Sequence, residues 1–346
     1  PFSTAGKRLS IQDERASGFD LMFAAIKKLT PRFFVIENVP GVLSAAQKHR
    51  PLAERGPGFP QLRSNEQYGS AFQEILKELG TLCCEKGYCA TWGILNSADY
   101  GVPQKRLRLV IIGSLDGFSL WPEQTHSNLP SGSLLNWVSL KEAIGDLKET
   151  TPLFKGFNEQ TKEFLELIPQ GGNWRNLPEC SKEQAMGKAF KSWGGRSGFL
   201  RRLSWNEPSP TITSSPMGRA TLMCHPVENR PLTVRECARI QGFPDSWNFS
   251  GSVTEQYQQI GNATPVGLGL AIGRALRIDN LNLEQNLYAG EVFCAQPELI
   301  SKLGKRPRTK LNPFSMRPGA NRESDLEWLG LSATVRTDAK EFKLRP

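Results

Sequence analysis

The segment Arg32-Phe33-Phe34-Val35-Ile36-Glu37-Asn38-Val39-Pro40-Gly41 constrains this chain more than any other. Four consecutive apolar residues, two of them β-branched, predict a strand buried on both faces of a parallel sheet. The run stops at a carboxylate and an amide, and Pro-Gly turn chemistry follows at once. Ligands of open α/β sheets bind beyond the carboxyl ends of the strands, so Glu37 and Asn38 stand where such a protein does its chemistry. A carboxylate that only caps a surface turn has the same local sequence, and the stretch alone does not separate the two readings.

The helix-then-strand rhythm around this segment predicts a doubly wound α/β domain. Phe19, Met22, Phe23, Ile26 and Leu29 fall at helical spacing, and Pro31 stops that helix before the strand. Phe72, Ile75, Leu76 and Leu79 predict a second amphipathic helix ended by Gly80. Strands follow at 90–95 and from Leu107 to Gly113, with the polar loop 96–103 between them. Residues 44–68 are polar, contain Gly and Pro, and predict a mobile loop.

From about Leu120 to Glu207 the texture becomes rich in Pro, Gly, Ser and Trp, with helical hints only at 141–147 and 161–167. This predicts a second, irregular module with small strands. A helix is expected at 231–241, with Thr233 and Glu236 forming a capping box. Another follows Thr264-Pro265 and buries Leu268, Ile272, Ala275 and Leu276. The resulting division is 1–113, 114–254, 255–279 and a basic extension at 280–346. Lys302, Lys305, Arg306, Arg308, Lys310, Arg317 and Arg322 give that extension the character of a non-specific nucleic-acid binder or a solvated linker.

Charge and cysteine usage narrow the setting. The net charge of +9 over 346 residues favours a polyanionic partner. No apolar run approaches the roughly 18 residues of a membrane span, and no secretion signal is recognisable, which predicts a cytoplasmic protein. The seven cysteines are odd in number and scattered, as in a reducing compartment. Cys84 and Cys89 lack a second pair at ligand spacing, and Cys224-His225 lack companions, so no metal centre is predicted.

Three further blocks carry chemistry. Gln104-Lys105-Arg106-Leu107-Arg108 places two guanidiniums on one face of a strand if a strand begins there, each needing an anion or a carbonyl. Gly261-Asn262 precedes the last helix and predicts a tight turn able to grip a ligand through its amide and free N–H groups. Arg230 to Pro244 reads as a charged helix with an apolar strip, a docking element whose partner is not legible.

Taken together, Glu37-Asn38-Val39, Gln104 with Arg106 and Arg108, Arg230 to Glu236, and Gly261-Asn262 resemble, in kind and order, the motif blocks of the cytosine-C5 DNA methyltransferases. The resemblance covers about residues 1–278. Pro1-Phe2-Ser3 resembles the tail of that family's Pro-Cys-Gln-x-Phe-Ser nucleophile loop. The catalytic cysteine and the Gly-rich S-adenosylmethionine loop would then lie upstream, leaving this chain inactive alone, as a fragment or as half of a split enzyme.

The resemblance implies a Rossmann-like, incomplete doubly wound sheet with a smaller target-recognition domain at 114–254. It implies S-adenosyl-L-methionine as cofactor, double-stranded DNA as partner and a prokaryotic, nucleoid-associated restriction–modification setting, with a tRNA cytosine methyltransferase or a non-catalytic DNA-binding remnant as the alternatives. Glu37 would hold N3 and N4 of a flipped cytosine and donate a proton to N3. Arg108 would contact O2, with Arg106 as its supporting neighbour. Asn262 and Gly261 would lie on the cofactor side. Gln104, Asn38, Thr211 and Ser3 would contact the DNA.

Overall fold

The computed structural model of the protein describes residues 18–51, 54–116, 121–191 and 197–276. Ser3 and the extension at 280–346 lie outside the described residues. In chain order the first elements are α1 (Gly18–Leu29), β1 (Phe33–Asn38), α2 (Ser70–Lys86), β2 (Cys89–Asn96), β3 (Gln104–Lys105) and β4 (Leu107–Ser114). Then come β5 (His126–Ser127), β6 (Leu135–Asn136), α3 (Leu140–Ile144), α4 (Glu159–Glu166), α5 (Glu179–Met186) and β7 (Ser209–Pro210). The last three are α6 (Val234–Ile240), α7 (Val253–Asn262) and α8 (Val266–Leu276). The architecture is mixed α/β, and no helix among the described residues is long and apolar enough to cross a membrane.

The chain divides into two compact units, one within Pro1–Ile94, Leu107–Trp121 and Ala275–Pro346, the other within Leu95–Arg106 and Pro122–Arg274. In the first, α1 stops where Pro31 forbids its continuation, and Thr30 takes a left-handed φ of 43° while its N–H reaches the Ile26 carbonyl at 2.8 Å. The sheet runs β1-β4-β2.

Here the structure corrects the expected strand environment. The partner of β1 is antiparallel, with Phe34 opposite Gly113, Ile36 opposite Ile111 and Glu37 opposite Val110. Burial along β1 alternates, and Val35 is 38% exposed. Phe34 and Ile36 point with Leu109 and Ile111 into a core shared with Phe19, Phe23, Phe72 and Leu76, while Phe33, Val35 and Glu37 take the other face. Strand direction depends on a partner some 70 residues away, which an apolar run does not specify.

Gly113 sets the register. A Cβ there would fall 2.1 Å from the Phe34 ring, so the ring lies where any other side chain would stand. Phe34 also meets Tyr88 edge-on, with centroids 5.1 Å apart.

Helix α2 runs through Gly80 and ends at Gly87, whose φ of 77° accommodates the left-handed cap. The expected stop fails because the apolar face continues through Leu82 and Cys83 onto the core, and packing outweighs one glycine's propensity. A Cβ at Gly80 meets nothing within 4 Å. Gly80→Ala should therefore raise stability by about 0.5–1 kcal/mol, read as a higher midpoint in urea with an unchanged slope.

Nor is the long segment after β1 featureless. It begins with a short 3₁₀ turn at Pro40–Ser44 and is braced from inside by Arg50. The Arg50 guanidinium pairs with the buried Glu66 carboxylate and donates to the Pro60 carbonyl at 2.6 Å and the Gln61 carbonyl at 3.4 Å. The Arg55 Nε in turn donates to the Arg50 carbonyl at 2.8 Å.

The second unit has two small cores. In one, Val234, Cys237, Ala238 and Ile240 of α6 pack on Leu140 and Ile144 of α3 and on Tyr257 and Ile260 of α7. This identifies the partner of the charged helix, which docks within its own unit. Thr233 and Glu236 form the expected capping box: Thr233 Oγ1 accepts the Glu236 N–H at 3.0 Å, and Glu236 Oε2 accepts the Thr233 N–H at 2.7 Å. Arg230 clamps the same carboxylate with two donors at 2.8 and 2.9 Å. In the other core, Leu165, Ile168, Trp174 and Met186 gather around α4 and α5.

His225 gives this unit a pH-dependent stability. Burial holds its imidazole below the usual value, opposed by the Glu236 and Glu228 carboxylates. Its Nδ1 accepts the N–H groups of Glu228 at 3.1 Å and Val227 at 3.3 Å, which requires the unprotonated nitrogen. The unfolded chain therefore takes up the proton first. The stabilisation is full above about pH 6.5 and is lost as pH falls below it. Thermal midpoints should be flat from about pH 8 to 7 and decline towards pH 5, with a shallower decline in His225→Gln.

Candidate active site

The carboxyl end of β1 meets the first residues of β4. Glu37 lies opposite Val110, so Arg108, two residues earlier on the antiparallel partner, projects from the same face at a diagonal that long side chains span. Arg108 Nε and Glu37 Oε1 are 2.6 Å apart. The Glu37 side chain is 30% exposed and that of Arg108 11%, so a partly open carboxylate backs onto a largely buried guanidinium. Burial pulls the Arg108 guanidinium below its ordinary value, and the Glu37 charge and hydrogen bond pull it back up. Arg108 Nη1 also donates to the Leu107 carbonyl at 2.7 Å, fixing the head. Such a pair can offer a planar ring an acid, or an acceptor, beside a cationic donor.

Beside Glu37, Asn38 turns its amide oxygen onto the Val39 N–H at 2.8 Å and so holds the entry to the Pro40 turn. The structure thus brings together Glu37, Asn38 and Arg108 of the residues singled out by sequence.

Arg106 takes other partners. Within the second unit its Nη1 donates to the Ile212 carbonyl at 2.7 Å, and its Nη2 to the carbonyls of Gly261 and Ala263 at 2.9 and 3.0 Å. Gln104 joins this buried network, donating from Nε2 to Gln241 Oε1 at 2.9 Å and accepting the Ile212 N–H at 2.9 Å. Gln241 completes it by donating to the carbonyls of Ile260 at 2.5 Å and Ala263 at 3.2 Å. Gln104, Arg106 and Gln241 are all buried. These three side chains tie 211–213, 241 and 260–263 into one block. Gln241 was not singled out by sequence; the only signal was its place at the end of a capped helix.

The Gly-Asn block differs from the expected free turn: Gly261 and Asn262 are the last two residues of α7. The sequence signal for that helix is the capping box of Ser252 and Glu255, which carries the helix through Gly-Asn rather than ending it before them. A Cβ on Gly261 would lie 2.4 Å from Ser214 N, so glycine is needed there to let the 213–214 backbone pass. Asn262 is exposed and lines a polar concavity of about 450 Å³ with Ser250, Gln258 and Gln259. Thr211, expected at the DNA, donates its hydroxyl to the Lys105 carbonyl at 3.0 Å beside the parallel β3–β7 pair.

The thiols are poor nucleophiles where they are buried. Burial pushes Cys224 up to about 11 and Cys237 well above the ordinary thiol range. None of the seven cysteines stands in a Pro-Cys-Gln sequence.

Comparison with known proteins adds a family. The profile of the C-5 cytosine-specific DNA methylases matches residues 1–277. The type II methyltransferase M.Sau96I of Staphylococcus aureus is 38% identical over 276 residues, covering 80% of this chain and 57% of that one. M.Eco47II of Escherichia coli is 36% identical over 293 residues, covering 81% and 62% respectively. The chain thus spans about three fifths of the length of these relatives. Among solved structures, a mutant of Spodoptera frugiperda DNMT2 aligns with a TM-score of 0.45 at 16% identity, covering 80% of this chain and 76% of that one.

Proposed function

Because the chain belongs to the C-5 cytosine-specific DNA methylase family, we propose that it serves the transfer of a methyl group to C5 of a cytosine flipped out of duplex DNA, within a prokaryotic restriction–modification system. The observation that carries this reading is the ion pair between Glu37 and Arg108 at the end of β1. Cytosine presents N3 and N4 on one edge and O2 beside them. A carboxyl group and an adjoining guanidinium can hold that edge together.

Each residue then has a role. Glu37 accepts from the exocyclic amine and shares a proton with N3, which drains electron density from the ring and makes C6 receptive to a thiolate. Arg108 donates to O2 and stabilises the negative charge that develops there. Asn38 keeps the strand-end turn in place. Arg106, with Gln104 and Gln241, acts as a positioning residue for the segment that carries Asn262. The exposed Asn262 amide at the end of α7 suits the methionine portion of S-adenosylmethionine, which when bound supplies an electrophilic methyl on sulfur. Thr211 and Ser3 are assigned to the DNA backbone, and residues 114–254 to target recognition. The setting is the cytoplasm, at the nucleoid.

The test joins this chain to an amino-terminal portion carrying both a Pro-Cys-Gln-x-Phe-Ser loop and the Gly-rich S-adenosylmethionine loop, in cis or on a second polypeptide, and follows labelled methyl from S-adenosylmethionine. Transfer to C5 of cytosine in duplex DNA is the expected result. Transfer to tRNA instead, or duplex binding without transfer, would overturn the reading.

A further inference from the structure

We propose that the segment between β1 and α2 is a preformed clamp for the phosphate backbone of duplex DNA, presented by Lys48 and Arg63. This rests on the proposed DNA substrate and adds a binding surface to it. The segment leaves the carboxyl end of β1, the end that carries Glu37, through the Pro40–Ser44 turn.

The interior of the segment is closed. Arg50 and Glu66 are paired with side chains 13% and 7% exposed, and the Lys48 N–H donates to the Asn65 carbonyl at 2.8 Å, drawing the two ends of the loop together. The Gln47 N–H donates to Ser70 Oγ at 2.9 Å, fixing one end to the first turn of α2. Gly56 and Gly58 flank Pro57 with φ of 112° and 90°, which only glycine adopts freely, and the turn they make exposes Phe59. Arg55 is held between the Arg50 carbonyl and the Tyr68 ring, 5.9 Å from its centroid.

What remains outside is cationic and aromatic. Lys48 and Arg63 are exposed, and Arg63 faces only the Glu66 carboxylate, which Arg50 already pairs from the other side. Phe59 is 47% and Tyr68 66% exposed. Glu54 is the one exposed acid among the described residues of the segment. Two cations whose charge is not spent in a direct ion pair, on a loop whose interior is already closed, complement a polyanion. Cations contact phosphates, and rings lie against the sugar edge. Because the loop is already closed by its own contacts, binding incurs little further ordering cost.

The experiment measures binding of the full chain to a fluorescein-labelled, mixed-sequence duplex across a salt series, comparing wild type with Lys48→Gln/Arg63→Gln. Losing two phosphate contacts should weaken binding roughly tenfold or more at about 0.1 M salt and make the log–log salt slope shallower by about 2. Thermal midpoints should be unchanged, since both heads are exposed. Equal affinity and slope in the double variant would overturn the clamp while leaving the cytosine chemistry standing. Wild-type protein that fails to bind duplex at any salt would overturn both. Weakening on single strands with none on duplex would overturn the clamp alone.

Discussion

Glu37→Gln, introduced into the chain joined to the nucleophile and cofactor loops of the proposed test, should lower the rate of methyl transfer by about 10²- to 10⁴-fold. The substitution keeps the shape of the side chain and leaves an amide oxygen that can still accept from Arg108 Nε, now 2.6 Å from the carboxylate. The carboxylate charge and the ability to share a proton with the ring are removed, so single-turnover chemistry should collapse while duplex affinity changes little. The folded state must be checked beside it, because Arg108 loses the charge that offsets its burial. If a well-folded Glu37→Gln protein transfers methyl at the wild-type rate, the carboxyl group has no part in activating the base.

Arg106→Ala should be the most damaging single change to the second unit. Its guanidinium serves the carbonyls of Ile212, Gly261 and Ala263, all of which would lose a buried donor together with the volume of the side chain. At about 1–3 kcal/mol for each stranded buried group, discounted for relaxation, the loss is roughly 4 kcal/mol, a large share of an ordinary domain's stability. The thermal midpoint should fall by about 10 °C. Arg106→Lys should recover only part of this, since one ammonium lacks the planar fork that reaches three acceptors. A midpoint within a degree or two of wild type would show that the network around 260–263 is held by Gln104 and Gln241 alone.

The two arginines illustrate what the sequence could and could not reveal. They stand two apart in a single motif, and their spacing predicts neighbours serving one function. Yet the partner of Arg108 is the carboxylate on the adjacent strand, whereas those of Arg106 lie 106 to 157 positions further along. Pairing at that range is decided by tertiary packing, which no local spacing encodes. What is local was legible: α1 with its Pro31 stop, the Thr233–Glu236 capping box, the strand end at Glu37. The antiparallel partner of β1, the continuation of α2 past Gly80 and the internal brace of Arg50 were not. In each case a distant contact outweighs what the residues prefer by themselves.

Gly113 has a consequence beyond its own strand. Side chains on a β-strand alternate, so sliding β1 by one position would carry the acid at 37 from the open side of the sheet into the oily side. The phenyl ring of Phe34 sits over a residue with no side chain, and in this alignment any other residue at 113 would clash with it. The placement of the acid at 37 is therefore favoured from three residues upstream, by a ring that rests on a position whose one qualification is being bare.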